Sequence, residues 1–184
     1  MKTLFDLCAF LKTTPPLCDN FNLAHLSIDS RNIQTGDVFC AYQGEFSDGH
    51  DYIEAAISRG ALLILTEKPV ANLQVPVLVV SNLREQLSAL AAWFYDHPSQ
   101  KLKLIGITGT NGKTSTTHYL AQFLHLLGHK VGVIGSLGRG LWGQLTPSAL
   151  NTPEAVDLQR QLADFVTQKI AYVCMEVSDR KSVV

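Results

Sequence analysis

Long apolar runs, blocks of like charge and paired cysteines are all missing from this chain. No uninterrupted apolar stretch reaches about 18 residues, so nothing reads as a membrane-spanning helix. The first eleven residues carry one lysine and place Asp6 within their apolar stretch, a poor secretory leader. Fifteen Lys and Arg stand against sixteen Asp and Glu, a net charge of −1 without a basic block, which argues against nucleic acid as the main partner. Cys8, Cys18, Cys40 and Cys174 are scattered without a C-x-x-C pair, the pattern of reduced thiols in a cytoplasmic protein. The histidines show no ligand spacing; His118 and His125 fall on one expected helix as surface or packing residues rather than a metal pair. No internal repeat or low-complexity tract is visible.

What is present is enough to build a core: 184 residues, 46% hydrophobic and 17% charged. Two segments are expected, 1–98 and 99–184, joined at His97-Pro98-Ser99. The first begins with a helix over Leu4–Leu11 and a Pro15-Pro16 break. Short Val-, Leu- and Ile-rich runs at 38–42, 61–66 and 75–80 predict strands, with a helix at 52–59 closed by Gly60. Residues 82–95 carry an apolar stripe, Leu83, Leu87, Leu90, Ala91 and Phe94, and Asn82 with Glu85 makes a capping-box pattern.

The second segment alternates: strand 102–107, helix 114–127, strand 131–134, a loop, helix 154–168, strand 171–177. That order predicts a parallel sheet with right-handed crossovers. Leu120, Phe123, Leu124 and Leu127 are expected to form the buried face of the first of these helices, ended by Gly128. Thr152-Pro153-Glu154 reads as a helix start with a hydroxyl cap. Trp142, just past Gly140, is read as a packing residue. The fold class is therefore α/β, a small mixed N-terminal domain followed by a P-loop parallel-sheet domain.

The chemistry concentrates at Ile105-Gly106-Ile107-Thr108-Gly109-Thr110-Asn111-Gly112-Lys113-Thr114-Ser115. A strand that breaks into Gly-x-x-Gly-Lys-Thr and opens a helix is a phosphate cradle, because glycines let successive backbone N–H groups face phosphate oxygens. Lys113 adds a positive charge near the β and γ phosphates, and the Thr114 hydroxyl can hold Mg²⁺. The general pattern wants glycine where Ile107 stands. Ligands of parallel sheets gather at the carboxyl ends of strands, so this loop, residues 135–140 and those after Met175 should meet in one crevice.

The string from Ile107 to Ser115 resembles the ATP loop of the Mur ligases, the ATP-dependent amide-forming enzymes of peptidoglycan synthesis, whose variant tolerates the missing glycine. Ile28-Asp29-Ser30-Arg31, Gly36-Asp37-Val38-Phe39 and Gly44-Glu45-Phe46-Ser47-Asp48-Gly49-His50 resemble the uridine-nucleotide-binding domain of the third and fourth ligases of that pathway. Gly135-Ser136-Leu137-Gly138-Arg139-Gly140, Leu150-Asn151-Thr152-Pro153 and Met175-Glu176-Val177-Ser178 favour the third, the MurE type. The resemblance covers residues 20–178.

It implies that Gly109, Thr110, Asn111, Gly112, Lys113, Thr114 and Ser115 bind ATP, with Lys113 catalytic. It implies that Ile28, Ser30, Glu45, Phe46 and Ser47 contact the UDP-sugar, that Asn151, Thr152 and Ser178 contact the muramoyl-dipeptide end, and that Thr114 and Glu176 hold Mg²⁺. Taken alone, Asp29-Ser30-Arg31 also fits an ordinary turn, Glu45 a solvated loop acid and Phe46 a core residue. The implied reaction phosphorylates the D-glutamate side carboxylate of UDP-N-acetylmuramoyl-L-alanyl-D-glutamate with ATP. The amine of meso-diaminopimelate or lysine then attacks the acyl phosphate. A monomeric, cytoplasmic enzyme without nucleic-acid or membrane partners is expected.

Two departures stand out. Asn151 replaces the family's first threonine. After Ser178 the chain reads Asp179-Arg180-Lys181 in place of Ser-His and continues only to Val184, so a truncated chain, inactive alone, is expected. The alternatives are the ligase that adds D-Ala-D-Ala and a non-catalytic nucleotide-binding module. A P-loop GTPase is disfavoured, since no Asn-Lys-x-Asp motif occurs.

Overall fold

The computed structural model describes residues 2–45, 47–147 and 152–178. The chain divides into two compact units, Met1–Leu90 and Ala91–Val184. The division falls inside a helix, ahead of the Pro98 linker expected to separate the domains.

In the first unit, β1 (Lys2–Thr3) pairs antiparallel with β2 (Asn22–Leu23) around helix α1 (Leu4–Leu11). Thr3 and Asp6 form a reciprocal capping box at the start of α1, satisfying two N–H groups that the helix leaves free. A four-stranded parallel sheet follows, in the order β3 (Leu26–Ser27), β4 (Val38–Ala41), β5 (Leu63–Thr66), β6 (Val77–Val79). Every residue of β4 and β5 is buried, as continuous apolar runs must be when both faces of a parallel sheet are covered. Helix α2 (Ile53–Ser58) falls one residue short of the expected range at each end: Tyr52 belongs to a 3-10 turn, Gly49–Tyr52, and Arg59 is the C-cap.

Helix α3 (Leu83–Phe94) buries the expected stripe. Its start differs from the capping-box reading. Asn82 is left-handed (φ 55), and its carbonyl accepts from the Glu85 and Gln86 N–H groups. The carboxylate facing the helix N-terminus comes from Glu67, whose Oε1 accepts from the Arg84 N–H at 3.2 Å.

The second unit is a five-stranded sheet. Its elements are β7 (Lys103–Ile107), α4 (Lys113–Leu126), β8 (Val131–Gly135), β9 (Gly138–Leu141), β10 (Gln144–Thr146), α5 (Ala155–Thr167) and β11 (Tyr172–Glu176). The order is β10-β9-β8-β11-β7, with β7, β8 and β11 parallel. Residues 135–140, expected as a loop, instead turn directly into the antiparallel hairpin β9–β10. Strand β11 lies inside the sheet, between β8 and β7, and among the described strands β7 and β10 form its two edges. The reason is topological: the right-handed crossover over α5 carries the chain back between β8 and β7.

The two helices cover opposite faces. Phe165 and Leu162 of α5 pack with Ile134, Val173 and Met175, while Ala121 of α4 packs with Val131, Val133 and Cys174. Side chains alternate along a strand, so Cys174 on the α4 face puts Glu176 on that face too. The buried side of α4 is the expected one only in part. Leu120 and Leu124 are half-buried against the sheet cluster as expected, Thr117 and Ala121 are fully buried, and Phe123 and Leu127 are exposed. Small residues let the helix lie close on the sheet and leave Phe123 and Leu127 outside. Trp142 is half-buried against the α4 cluster and meets the His118 ring edge-on at 5.3 Å, a packing role as expected. No described helix is long and apolar enough to cross a membrane.

Candidate functional site

The P-loop leaves the carboxyl end of β7 and enters α4 at Lys113. Gly109 (φ 143) and Gly112 (φ 77) take conformations that residues with a Cβ rarely adopt, and Gly112 is the N-cap residue with no side-chain cap. The first-turn N–H groups of a helix have no intrahelical acceptor. Together with the positive end of the helix dipole, they make the donor set that phosphate oxygens need. Thr110, Asn111 and Ser115 are exposed, while Lys113 and Thr114 are half-buried. The Lys113 ammonium folds back across the loop and donates to the Gly109 carbonyl, so this charge sits over the cradle itself.

Two other parallel strands end beside the loop. At the end of β8, the Ser136 Oγ lies 2.8 Å from Thr114 Oγ1. At the end of β11, Glu176 is 2% exposed, and its Oε1 accepts from both the Ser136 N–H (3.1 Å) and the Ser136 hydroxyl (3.0 Å). Burying a carboxylate is costly unless it is paired or hydrogen-bonded. Among the described residues no cationic side chain pairs with Glu176; its partners are the amide and hydroxyl of one serine. A Cβ at Gly135 would stand 2.3 Å from Glu176 Oε1, so only glycine leaves room for the carboxylate there. The Thr114 hydroxyl and the Glu176 carboxylate beside a phosphate cradle are hard oxygen donors, the kind that suits Mg²⁺ with nucleotide phosphates completing its shell. ATP and Mg²⁺ both fit. Among the described residues no group of three or more His, Cys, Asp or Glu is placed to hold a metal ion.

Thr152 is buried but does not cap a helix. The N-cap residue of α5 is Glu154, and the Thr152 hydroxyl instead donates to the Glu176 carbonyl (3.1 Å) and accepts from the Ser178 N–H (3.1 Å). It clips the chain after β11 to the segment before α5, bringing Thr152, Glu176 and Ser178 together. Asn151 lies outside the described residues.

In the first unit the sequence-predicted residues fall on loops leaving adjacent parallel strands. Ile28 and Ser30 follow the end of β3, and Glu45 and Ser47 follow the end of β4, on the same edge of the sheet. Ser30 is buried at the start of a 3-10 turn, Ile28 is half-buried, and Glu45 and Ser47 are exposed. Asp29 caps that turn through the Arg31 N–H (2.9 Å) and holds the Arg31 guanidinium (2.8 Å). Arg31 keeps the Asp29 carboxyl below its ordinary range. The turn of Ser47 is closed by Gly44 N–H donating to the Ser47 carbonyl at 2.9 Å. Phe46 lies outside the described residues.

Sequence reasoning placed the 135–140 stretch in the crevice but gave Ser136 no role. The available signal was its position one residue beyond a fully buried parallel strand.

Comparison with known proteins agrees with this geometry. Residues 22–95 match the family described as Mur ligase family, catalytic domain, and residues 107–183 match the Mur ligase middle domain. A UDP-N-acetylmuramoyl-L-alanyl-D-glutamate--2,6-diaminopimelate ligase from Chromobacterium violaceum is 44% identical over 85% of this chain and 33% of its own length. Ligases of the same name from Geobacillus thermodenitrificans and Lactiplantibacillus plantarum are 41% and 38% identical, over 86% and 95% of this chain and 32% and 35% of theirs. The chain therefore spans about a third of the length of these relatives. A solved structure of a ligase with that name superposes with a TM-score of 0.68 at 28% identity, over 86% of this chain and 32% of the other. A MurF ligase from Thermotoga maritima, solved with ADP, gives 0.57 at 26% identity, over 84% of this chain and 32% of the other. With both of its segments matched in order, the chain belongs to the Mur ligase family.

Proposed function

We propose that these 184 residues supply the nucleotide-binding portion of an ATP-dependent ligase that joins 2,6-diaminopimelate to UDP-N-acetylmuramoyl-L-alanyl-D-glutamate. The observation that carries the reading is the Thr114 hydroxyl and the buried Glu176 carboxylate brought together beside the Lys113 loop. The substrate comes from the names of the relatives at 38–44% identity.

On this reading the free N–H groups from Gly109 to Ser115 orient the phosphates of ATP. Lys113 swings from the Gly109 carbonyl to offset charge on the transferring phosphoryl group, mainly by positioning and electrostatics. Mg²⁺, when bound by Thr114 and Glu176, would neutralise phosphate charge and polarise the γ-phosphoryl group. The D-glutamate side carboxylate attacks the γ phosphorus, and ADP leaves. The incoming amine then displaces phosphate from the acyl phosphate, forming the amide and losing a proton. Thr152, Ser178 and Asn151 would hold the dipeptide end, and Ile28, Ser30, Glu45, Phe46 and Ser47 the UDP-sugar. We assign residues 1–98 to UDP-sugar binding, 99–184 to ATP binding, and the enzyme to the cytoplasm as a monomer.

The amine has no assigned holder within these residues, and positioning can supply about 7–11 kcal/mol of such a barrier. The 184-residue chain should therefore bind both nucleotides yet form no amide. Calorimetric titrations with ATP and with UDP-muramoyl-dipeptide, on wild type and Ser30→Ala, test the division. Loss of UDP-ligand affinity alone in Ser30→Ala supports it, and parallel loss of both affinities refutes it.

A further inference from the structure

Ser136 is the exposed member of a three-residue chain whose other ends are the half-buried Thr114 and the buried Glu176. Its own geometry fixes the direction of the protons. A carboxylate can only accept, and Ser136 has a single hydroxyl proton. That proton goes to Glu176 at 3.0 Å, so the 2.8 Å contact with Thr114 requires the Thr114 hydroxyl to donate toward Ser136. The Ser136 N–H adds a second bond to the same oxygen, Glu176 Oε1, at 3.1 Å. Gly135 just before it is the position whose missing Cβ admits the carboxylate.

From this arrangement we infer that Ser136 is a positioning residue for the divalent cation that accompanies the nucleotide. It draws the Thr114 proton to its own side, which turns the Thr114 oxygen lone pairs away from Ser136 and leaves them free for a cation. It also holds the Glu176 carboxylate, at Oε1 through both N–H and hydroxyl and at Oε2 through the longer 3.3 Å contact, so the carboxylate meets the cation in one orientation rather than sampling several. Ligands held before the cation arrives lose less freedom on binding it. The inference rests on the nucleotide reading given above and extends it to a residue that neither the P-loop nor the Glu176 assignment includes.

The test uses the full 184-residue chain, with Mg²⁺ or Mn²⁺ as the metal and ADP or ATP as the nucleotide. Calorimetry gives nucleotide affinity with and without metal, and the electron paramagnetic resonance of free Mn²⁺ gives metal affinity of the nucleotide-bound chain. Ser136→Ala should lower Mn²⁺ affinity about tenfold. Its metal-free nucleotide affinity and its thermal midpoint should stay at wild-type values, and Ser136→Thr, which keeps the hydroxyl, should restore metal affinity to within about twofold. Unchanged metal affinity in Ser136→Ala overturns the inference while leaving the nucleotide site standing. So does an equal loss in the alanine and threonine variants, or a matching loss of metal-free nucleotide binding. A wild-type chain that binds no nucleotide at all overturns the underlying reading, and this inference with it.

Discussion

The thiols show how burial alone sorts four identical groups. Cys40 sits in the fully buried strand β4, where burial pushes its thiol up to about 12, and Cys174 in β11 is raised to about 11 by the same cause. Cys8 in α1 is buried and raised as well, whereas Cys18 is exposed. Since the thiolate is the nucleophile, Cys18 alone should react rapidly with an aromatic disulfide reagent at about pH 8 in the native chain. The other three should appear only on unfolding; two or more fast thiols would contradict the burial described. The place of Lys113 and Thr114, opening a helix directly after a glycine loop, was legible in the sequence because the Gly-Lys-Thr pattern follows an apolar strand. Ser136 was not, because a serine after a strand is an ordinary residue until two partners from distant parts of the chain converge on it. Thr152 was misread for a related reason. Its hydroxyl suits a cap, but the bonds to Glu176 and Ser178 claim it first.

Helices and strands were legible where local chemistry decides them. Helix Leu4–Leu11 is capped locally, by Thr3 just before it and its own Asp6, and β4 and β5 announce themselves as apolar runs. The β9–β10 hairpin was not visible, since Gly138, Arg139 and Gly140 give no alternating pattern; pairing with β8 makes it a strand. The start of α3 likewise depends on Glu67, which arrives from the end of β5. Glu67→Ala should remove that tertiary cap and destabilise the chain by about 0.5–2 kcal/mol in denaturant titration. No change, with Glu85→Ala destabilising instead, would restore the capping-box reading.

The 3-10 turn Gly49–Tyr52 offers a pH test. Its cap, Asp48, is lowered to about 2, chiefly by the His50 side chain, then by the His50 backbone N–H. A carboxyl depressed on folding contributes above its unfolded value, about 3.9, and that contribution is lost as pH falls toward about 2. Asp48→Asn should therefore flatten this part of the stability–pH curve. An acid limb identical in mutant and wild type would show that the Asp48 interactions are not formed.

At the scale of the whole molecule, each unit gathers those of its sequence-predicted residues that the structure describes at the carboxyl edge of a parallel sheet, the location such sheets reserve for ligands. Sheet order was the part no motif could supply, because the sequence states which segments are strands and not which of them pair. Placing β11 between β8 and β7 is what carries Glu176 to the phosphate loop. The claim that this edge of the second unit is a nucleotide site is tested most directly by titrating Mg²⁺-ATP into the wild-type chain and Lys113→Ala, with thermal unfolding as the control for folding. A charged donor to phosphate is worth about 1.5–3 kcal/mol, so wild type should saturate at one site and the variant should bind at least about tenfold more weakly with an unchanged melting profile. Equal ATP affinity in the two folded proteins would contradict the assignment.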